Sequence, residues 1–162
     1  MVGRAVHVGE SGMAVTVSLI NMKGGVGKST LTVNLAWFLA WYPPWKKKVL
    51  VVDLDPQFNA SQYLVGVTDY EAILQSKKPT IWDIFEQGTR TPAGKALIED
   101  PHDAIYRVIE FNDGSLVDLI PSRLELALSL KNPGHKERNL SRFLDEVKEE
   151  YDVILIDCAP TE

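Results

Sequence analysis

Three short stretches carry residue types suited to phosphate chemistry. The first is Asn21-Met22-Lys23-Gly24-Gly25-Val26-Gly27-Lys28-Ser29-Thr30. A triphosphate needs many N–H donors converging on its oxygens. Gly24, Gly25 and Gly27 let the backbone curl tightly with no Cβ in the way. A helix starting near Lys28 would add its free N–H groups and the positive end of its dipole. Lys28 would then reach the β- and γ-phosphates, and the Ser29 hydroxyl would ligate Mg2+. The second stretch, Asp53-Leu54-Asp55-Pro56-Gln57, closes an apolar run. Carboxylates at the C-terminal end of a buried parallel strand are costly unless a metal or donors meet them. They also stand where ligands bind in open α/β sheets. Alternate spacing puts Asp53 and Asp55 on one side of an extended chain. The third stretch ends at Asp157, after Val153-Ile154-Leu155-Ile156.

The elements that must position these residues follow from periodicity. Residues 14–20 read as a buried strand, and apolar positions 31, 35, 38 and 39 put residues 28 to about 40 in a helix. Trp41-Tyr42-Pro43-Pro44-Trp45 stops it. A second buried strand covers 49–53, and a short helix covers 59–65. Residues 81–86 form another, with Thr80 as N-cap and Asp83 at N3. Residues 93–103 match neither period. Residues 104–111 and 116–120 read as two strands joined by an Asp-Gly turn. Helices are expected over 124–130 and 140–149, and a last strand over 152–157. Strands alternating with helices imply a parallel sheet covered on both faces.

Composition narrows the class. In 162 residues the net charge is −5, hydrophobic residues are 45% and charged residues 24%, which excludes wholesale disorder. The acidic balance argues against a chain-wide nucleic-acid footprint. The single cysteine, Cys158, excludes an internal disulfide, a cysteine-built zinc site and a self-contained iron–sulfur cluster. It fits a reducing compartment. No apolar run reaches membrane-spanning length. Residues 1–13 lack a signal-peptide apolar region and read as a flexible leader. The address expected is the cytoplasm.

Standard G-x-x-x-x-G-K-[ST] spacing would place glycine at position 22, where Met22 stands. The chain has instead a second lysine, Lys23, five residues before Lys28. That is the deviant Walker A motif, and with it the chain resembles the ParA/MinD family of dimeric P-loop ATPases. Asp53-Leu54-Asp55-Pro56-Gln57 resembles that family's Walker A′ motif. The strand ending Asp157-Cys158-Ala159-Pro160 resembles its Walker B. Asp55-Pro56-Gln57 followed by Phe58-Asn59-Ala60-Ser61 favours the ParA branch over MinD. Weaker matches stand at Ile81-Trp82-Asp83-Ile84-Phe85 and Asp118-Leu119-Ile120-Pro121-Ser122. The resemblance runs from about Val15 to Pro160.

The resemblance implies an α/β, P-loop NTPase-type three-layer sandwich with a mostly parallel sheet. Residues 14–162 would be the N-terminal portion of a ParA-type ATPase domain, incomplete at its C-terminus. It implies ATP and Mg2+ as cofactors, hydrolysed in a nucleotide-sandwich homodimer. Lys23, Gly24, Gly25, Val26, Gly27, Lys28, Ser29 and Thr30 would bind the nucleotide. Lys23 would cross to the partner's nucleotide, where an ammonium supplied in trans stabilises charge on the γ-phosphoryl oxygens. Asp55 would position or polarise the attacking water. Ser29, Asp53 and Asp157 would serve the metal, Asp157 through water. The implied role is plasmid or chromosome partitioning, with a ParB-like stimulating protein, non-specific DNA bound through a region beyond this chain, nucleoid association and no membrane. The last strand would then lie near an unpaired edge. Two alternatives stay open: a nucleotide-binding or dimerisation module without turnover, and a MinD-like positioning ATPase. A reductase like the nitrogenase iron protein would need cluster cysteines that one Cys per chain serves poorly.

Other features have bland readings. Trp41, Tyr42 and Trp45, beside Lys46, Lys47 and Lys48, are expected as a helix stop packed on the sheet edge with a solvated lysine run. His7, His102 and His135 lack ligand spacing and are expected at the surface. The leucines of 124–128 should form a core helix face, residues 136–142 a solvated one, and Asp152 should be exposed. Cys158, without a histidine partner, reads as a small buried residue.

Overall fold

The computed structural model describes residues 14–87, 98–131 and 136–160. The expectations for residues 1–13 and for His135 lie outside these, as do residues 93–97 of the ambiguous 93–103 stretch. The sheet has five strands: β1 (Val15–Leu19), β2 (Lys48–Leu54), β3 (Tyr106–Glu110), β4 (Leu116–Ile120) and β5 (Val153–Cys158). Their order is β1-β5-β2-β4-β3. β1, β5, β2 and β4 run parallel, and β3 lies antiparallel to β4. The helices are α1 (Lys28–Trp41), α2 (Asn59–Val65), α3 (Val67–Gln75), α4 (Ile81–Phe85), α5 (Leu126–Lys131) and α6 (Lys136–Val147).

Both faces of the sheet are covered, as expected for parallel strands. On one face Val49, Val51, Val117, Leu119 and Leu155 pack with Val33, Ala36 and Ala40 of α1 and with Ala60 and Leu64 of α2. The small Ala36 and Ala40, both fully buried, let α1 lie close to the strands. On the other face Leu50, Val52, Ile120, Ile154 and Ile156 pack with Ile81, Ile84, Leu126, Leu140 and Phe143. Each such side chain stabilises the fold by about 1.5–3 kcal/mol.

The sheet order meets one expectation and overturns another. β5 lies near an edge, one strand in: it pairs with the edge strand β1 on one side and β2 on the other. Its apolar residues alternate between both cores, Ile154 and Ile156 on one face and Leu155 on the other. The edge is β1, where Val15 is 62% and Val17 39% exposed, so β1 is not the buried strand expected. Val15, Thr16, Val17 and Ser18 are all exposed, so the Val/Thr/Val/Ser alternation does not set a buried face here.

Several local readings hold. The β3–β4 hairpin closes through Gly114 at φ +82, with Phe111 N–H donating to the Ser115 carbonyl at 2.8 Å. Thr80 and Asp83 form a reciprocal capping box on α4. Asp152 is exposed and pairs with Lys47 at 3.1 Å. The aromatic cluster differs from expectation. Trp41, Tyr42 and Trp45 are exposed rather than packed on the sheet edge. The buried stripe of α1 is set by Thr32, Val33, Ala36 and Ala40, which leaves residues 38, 41 and 42 outside it. Phe38 and Tyr42 stack on each other, with centroids 4.8 Å apart. α3 has no counterpart in the sequence reading; only Tyr70 of its nine residues is buried, so it has little apolar periodicity. In α5 only Leu126 and Ser129 are buried, while Leu128, and Leu124 before the helix, stand in solvent. Lys136 is not simply solvated: it pairs with Glu86 at 2.5 Å.

Candidate nucleotide site

The loop from β1 to α1 is shaped by two glycines in the left-handed region, Gly25 at φ +72 and Gly27 at φ +88. An added Cβ would meet nothing within 4 Å at either, so the restriction is conformational. Gly27 is the N-cap of α1, and its carbonyl accepts the Leu31 N–H at 2.8 Å. No side chain caps this end, and no acidic residue occupies its first turn. Its first amides and dipole therefore remain available to an anion. Lys28 Nζ donates to the Asn21 carbonyl at 3.5 Å, and the Lys23 N–H donates to Asn21 Oδ1 at 2.9 Å.

Asp157 of β5 stands in register with Leu19 of β1 and Asp53 of β2, so strand pairing brings all three stretches together. Asp157 is fully buried. The Thr32 hydroxyl lies 3.2 Å from Asp157 Oδ1 and 3.0 Å from the Lys28 carbonyl, which share its single proton. Asp157 Oδ2 is buried without a hydrogen-bond partner. Burial raises the Asp157 pKa, opposed by the Ser29 and Thr32 hydroxyls. A buried, unpartnered carboxylate oxygen is expensive unless a cation meets it. Ser29 and Asp157 therefore fit a Mg2+ ion. Among the described residues no group of three or more His, Cys, Asp or Glu side chains could hold a metal unaided. Mg2+ commonly uses one or two carboxylates together with substrate phosphates.

Asp53 is equally buried but engaged. Its Oδ1 accepts the Asp55 N–H at 3.0 Å. Its Oδ2 accepts the Ser61 N–H at 2.8 Å and the Ser61 hydroxyl at 2.7 Å. Burial pushes its pKa up to about 7 against these donors. A direct metal bond to Asp53 would have to displace protein donors. Asp55 turns towards the phosphate loop, and its Oδ1 accepts the Gln57 N–H at 2.9 Å. A cavity of about 330 Å³ is lined by Gly24, Gly25, Gly27, Lys28, Ser29 and Thr30 together with Asp55, Gln57, Asn59, Tyr63 and Pro160. Lys23 and Val26 are exposed on the loop and do not line it. Thr32, Ser61 and Tyr63 were not singled out by sequence. Thr32 and Ser61 fall one helical turn and about one turn into α1 and α2, where hydroxyls usually signal nothing. Cys158 is half-buried rather than buried as expected; its partial burial raises its pKa, which leaves the thiol protonated.

A glycine loop between strand and helix, a lysine at the helix start and an aspartate on the adjacent strand define a P-loop nucleotide-binding site. A family model described as an AAA domain matches residues 14–162, and the chain belongs to that family, in its ParA group. It is 34% identical over 152 residues to the chromosome-partitioning ATPase Soj of Treponema pallidum, covering 92% of this chain and 50% of that protein. It also resembles a putative plasmid partition protein of Borrelia burgdorferi bound to AMPPNP. There the TM-score is 0.67 at 29% identity, covering 92% of this chain and 55% of the other. The pNOB8 ParA bound to nonspecific DNA matches with a TM-score of 0.61 at 27% identity, covering 93% and 47%. The chain spans about half the length of the curated relatives it matches.

Proposed function

We propose that this chain binds ATP with Mg2+ and, within a ParA-type protein, takes part in its hydrolysis during DNA partitioning. The observation that carries the reading is the buried Asp157 oxygen without a partner, beside an uncapped helix that begins at Lys28. Lys28 and the amides of residues 24–30 would hold the phosphates. Ser29 and Asp157 would hold Mg2+, which supplies charge neutralisation on the phosphates when bound. Asp55, in the same cavity, would orient or accept a proton from the attacking water. Lys23, exposed on the loop, would act across a nucleotide-sandwich homodimer. Val26 would contribute its backbone N–H. Asp53 would support the metal shell from behind, through Asp55.

The AMPPNP complex of the Borrelia relative supports the nucleotide, and the DNA complex of pNOB8 ParA supports DNA as the track. A ParB-like protein would stimulate turnover, and DNA would be bound by a region outside these residues. A cytoplasmic, nucleoid-associated address follows from that reading. Among the described residues no helix is long and apolar enough to cross a membrane.

A second reading is a nucleotide-binding module without turnover; the buried, unpartnered Asp157 oxygen and the uncapped helix start are needed for binding alone. Nucleotide titration and phosphate release, run on the wild type and on Lys28→Ala, test both. Equal affinity in the two proteins overturns the phosphate-loop assignment. Binding without Lys28-dependent phosphate release selects the second reading.

A further inference from the structure

Two buried hydroxyl-bearing residues connect the candidate catalytic loop to the far side of the sheet end. The Ser61 hydroxyl donates to Asp53 Oδ2 at 2.7 Å, and its oxygen accepts the Ser122 N–H at 3.1 Å. The Ser122 carbonyl accepts the Tyr70 hydroxyl at 2.9 Å. Asp53, Ser61 and Ser122 are all fully buried, and Tyr70 nearly so. At the near end, Asp53 Oδ1 holds the Asp55 N–H. Between them, Phe58 sits in the left-handed region at φ +49 and stacks on Tyr70, with centroids 5.0 Å apart. α2 begins here without a side-chain cap, so Asp53 takes the place of one by accepting the Ser61 N–H.

We propose that Ser61 is a positioning residue: with Asp53 it clamps the Asp55–Phe58 turn to the end of β4, and so holds the Asp55 carboxyl where the attacking water would stand. This rests on the reading of Asp55 given above. Every contact in the clamp is short, buried and directed at backbone or carboxylate, which fixes the turn more tightly than an exposed loop could be held. The unfavourable backbone of Phe58 persists because the clamp and the Tyr70 stack over-determine it. Ser61 touches neither the cavity nor the phosphate loop. Its effect on chemistry passes through Asp55, whose displacement by even a fraction of an ångström weakens catalysis.

The test compares Ser61→Ala with Ser61→Thr, which keeps the hydroxyl. The readouts are kcat for ATP hydrolysis, the Kd for AMPPNP with and without Mg2+, melting temperature, and amide hydrogen exchange at Asp55 and Ser122. Ser61→Ala should lower kcat about tenfold, since a hydrogen bond to a buried carboxylate is lost. It should leave the Mg2+-AMPPNP affinity within about twofold. Exchange at both amides should quicken, and Ser61→Thr should restore kcat and protection. The clamp is overturned by wild-type kcat in Ser61→Ala, by an affinity loss matching the rate loss, or by equally slow Ala and Thr variants that melt as the wild type does. If the wild type itself hydrolyses no ATP, the functional reading fails instead. Unchanged exchange at Asp55 and Ser122 would then still overturn the clamp.

Discussion

Asp53 and Asp157 are register partners at the ends of adjacent parallel strands, and both are fully buried. Their surroundings differ. Around Asp53, the Asp55 N–H and the two Ser61 donors that α2 brings back fill the carboxylate. Around Asp157, one oxygen meets Thr32, the other has no hydrogen-bond partner, and the Ser29 hydroxyl adds to Thr32 in favouring the charged form. Burial raises both pKa values, so depth alone does not separate the roles. Donor supply does. A saturated carboxylate organises the chain, and an orphaned one has the donor chemistry that a cation would satisfy.

That contrast can be broken by substitution. The largest effect is expected for Asp157→Ala. Calorimetric titration with ATP should show the Mg2+-dependent part of the affinity gone, and hydrolysis should fall by about a thousandfold. Persistence of Mg2+-dependent tightening would remove Asp157 from the metal site. Asp55→Ala comes next: hydrolysis should fall by roughly a hundredfold while nucleotide affinity stays within a few-fold. Parallel losses of both would make Asp55 a binding group instead. Asp53→Asn should act on stability, lowering the unfolding free energy in urea by about 2–3 kcal/mol because buried donors lose their acceptor. The Mg2+ dependence of ATP affinity should survive; its loss would erase the distinction between the two aspartates.

An exposed ion pair marks the lower end of the scale. His102 bridges Asp100 at 2.7 Å and Glu150 at 2.8 Å, and these hydrogen bonds raise its pKa. A raised histidine pKa stabilises the fold fully below its ordinary value near 6.5. The contribution is lost as pH climbs through the raised value. His102→Gln should therefore cost a few tenths of a kcal/mol in acid and nothing in mild alkali, since half-exposed pairs are weak. Thermal melts across that range check this; a cost that grows with pH would refute it.

The phosphate loop, α1 and the three strand ends were legible because each is encoded locally. Glycines at 25 and 27 meet left-handed backbone, and Lys28 opens the helix that Gly27 caps. The Asp113-Gly114 turn and the Thr80–Asp83 box are equally local. Less legible was anything set by neighbours distant in sequence. β1 and β5 both read as apolar strands, yet one forms an edge and the other is paired on both sides. The exposed Phe38, Trp41, Tyr42 and Trp45 look like core residues until the buried stripe of α1 is known. Ser61 carries no periodic signal because its partners, Asp53 and Ser122, come from two separate strand ends.

By itself, then, the sequence determined the kind of site: backbone amides curled by glycine, a lysine at a helix start, and aspartates at strand ends. Those depend on φ/ψ preference and on spacing along one segment. Only the tertiary structure decided which aspartate is saturated and which is left open. That outcome depends on where α2 returns the Ser61 donors and where α1 places Thr32. A carboxylate's role is set by the hydrogen bonds that reach it across the fold, and these are absent from its own strand.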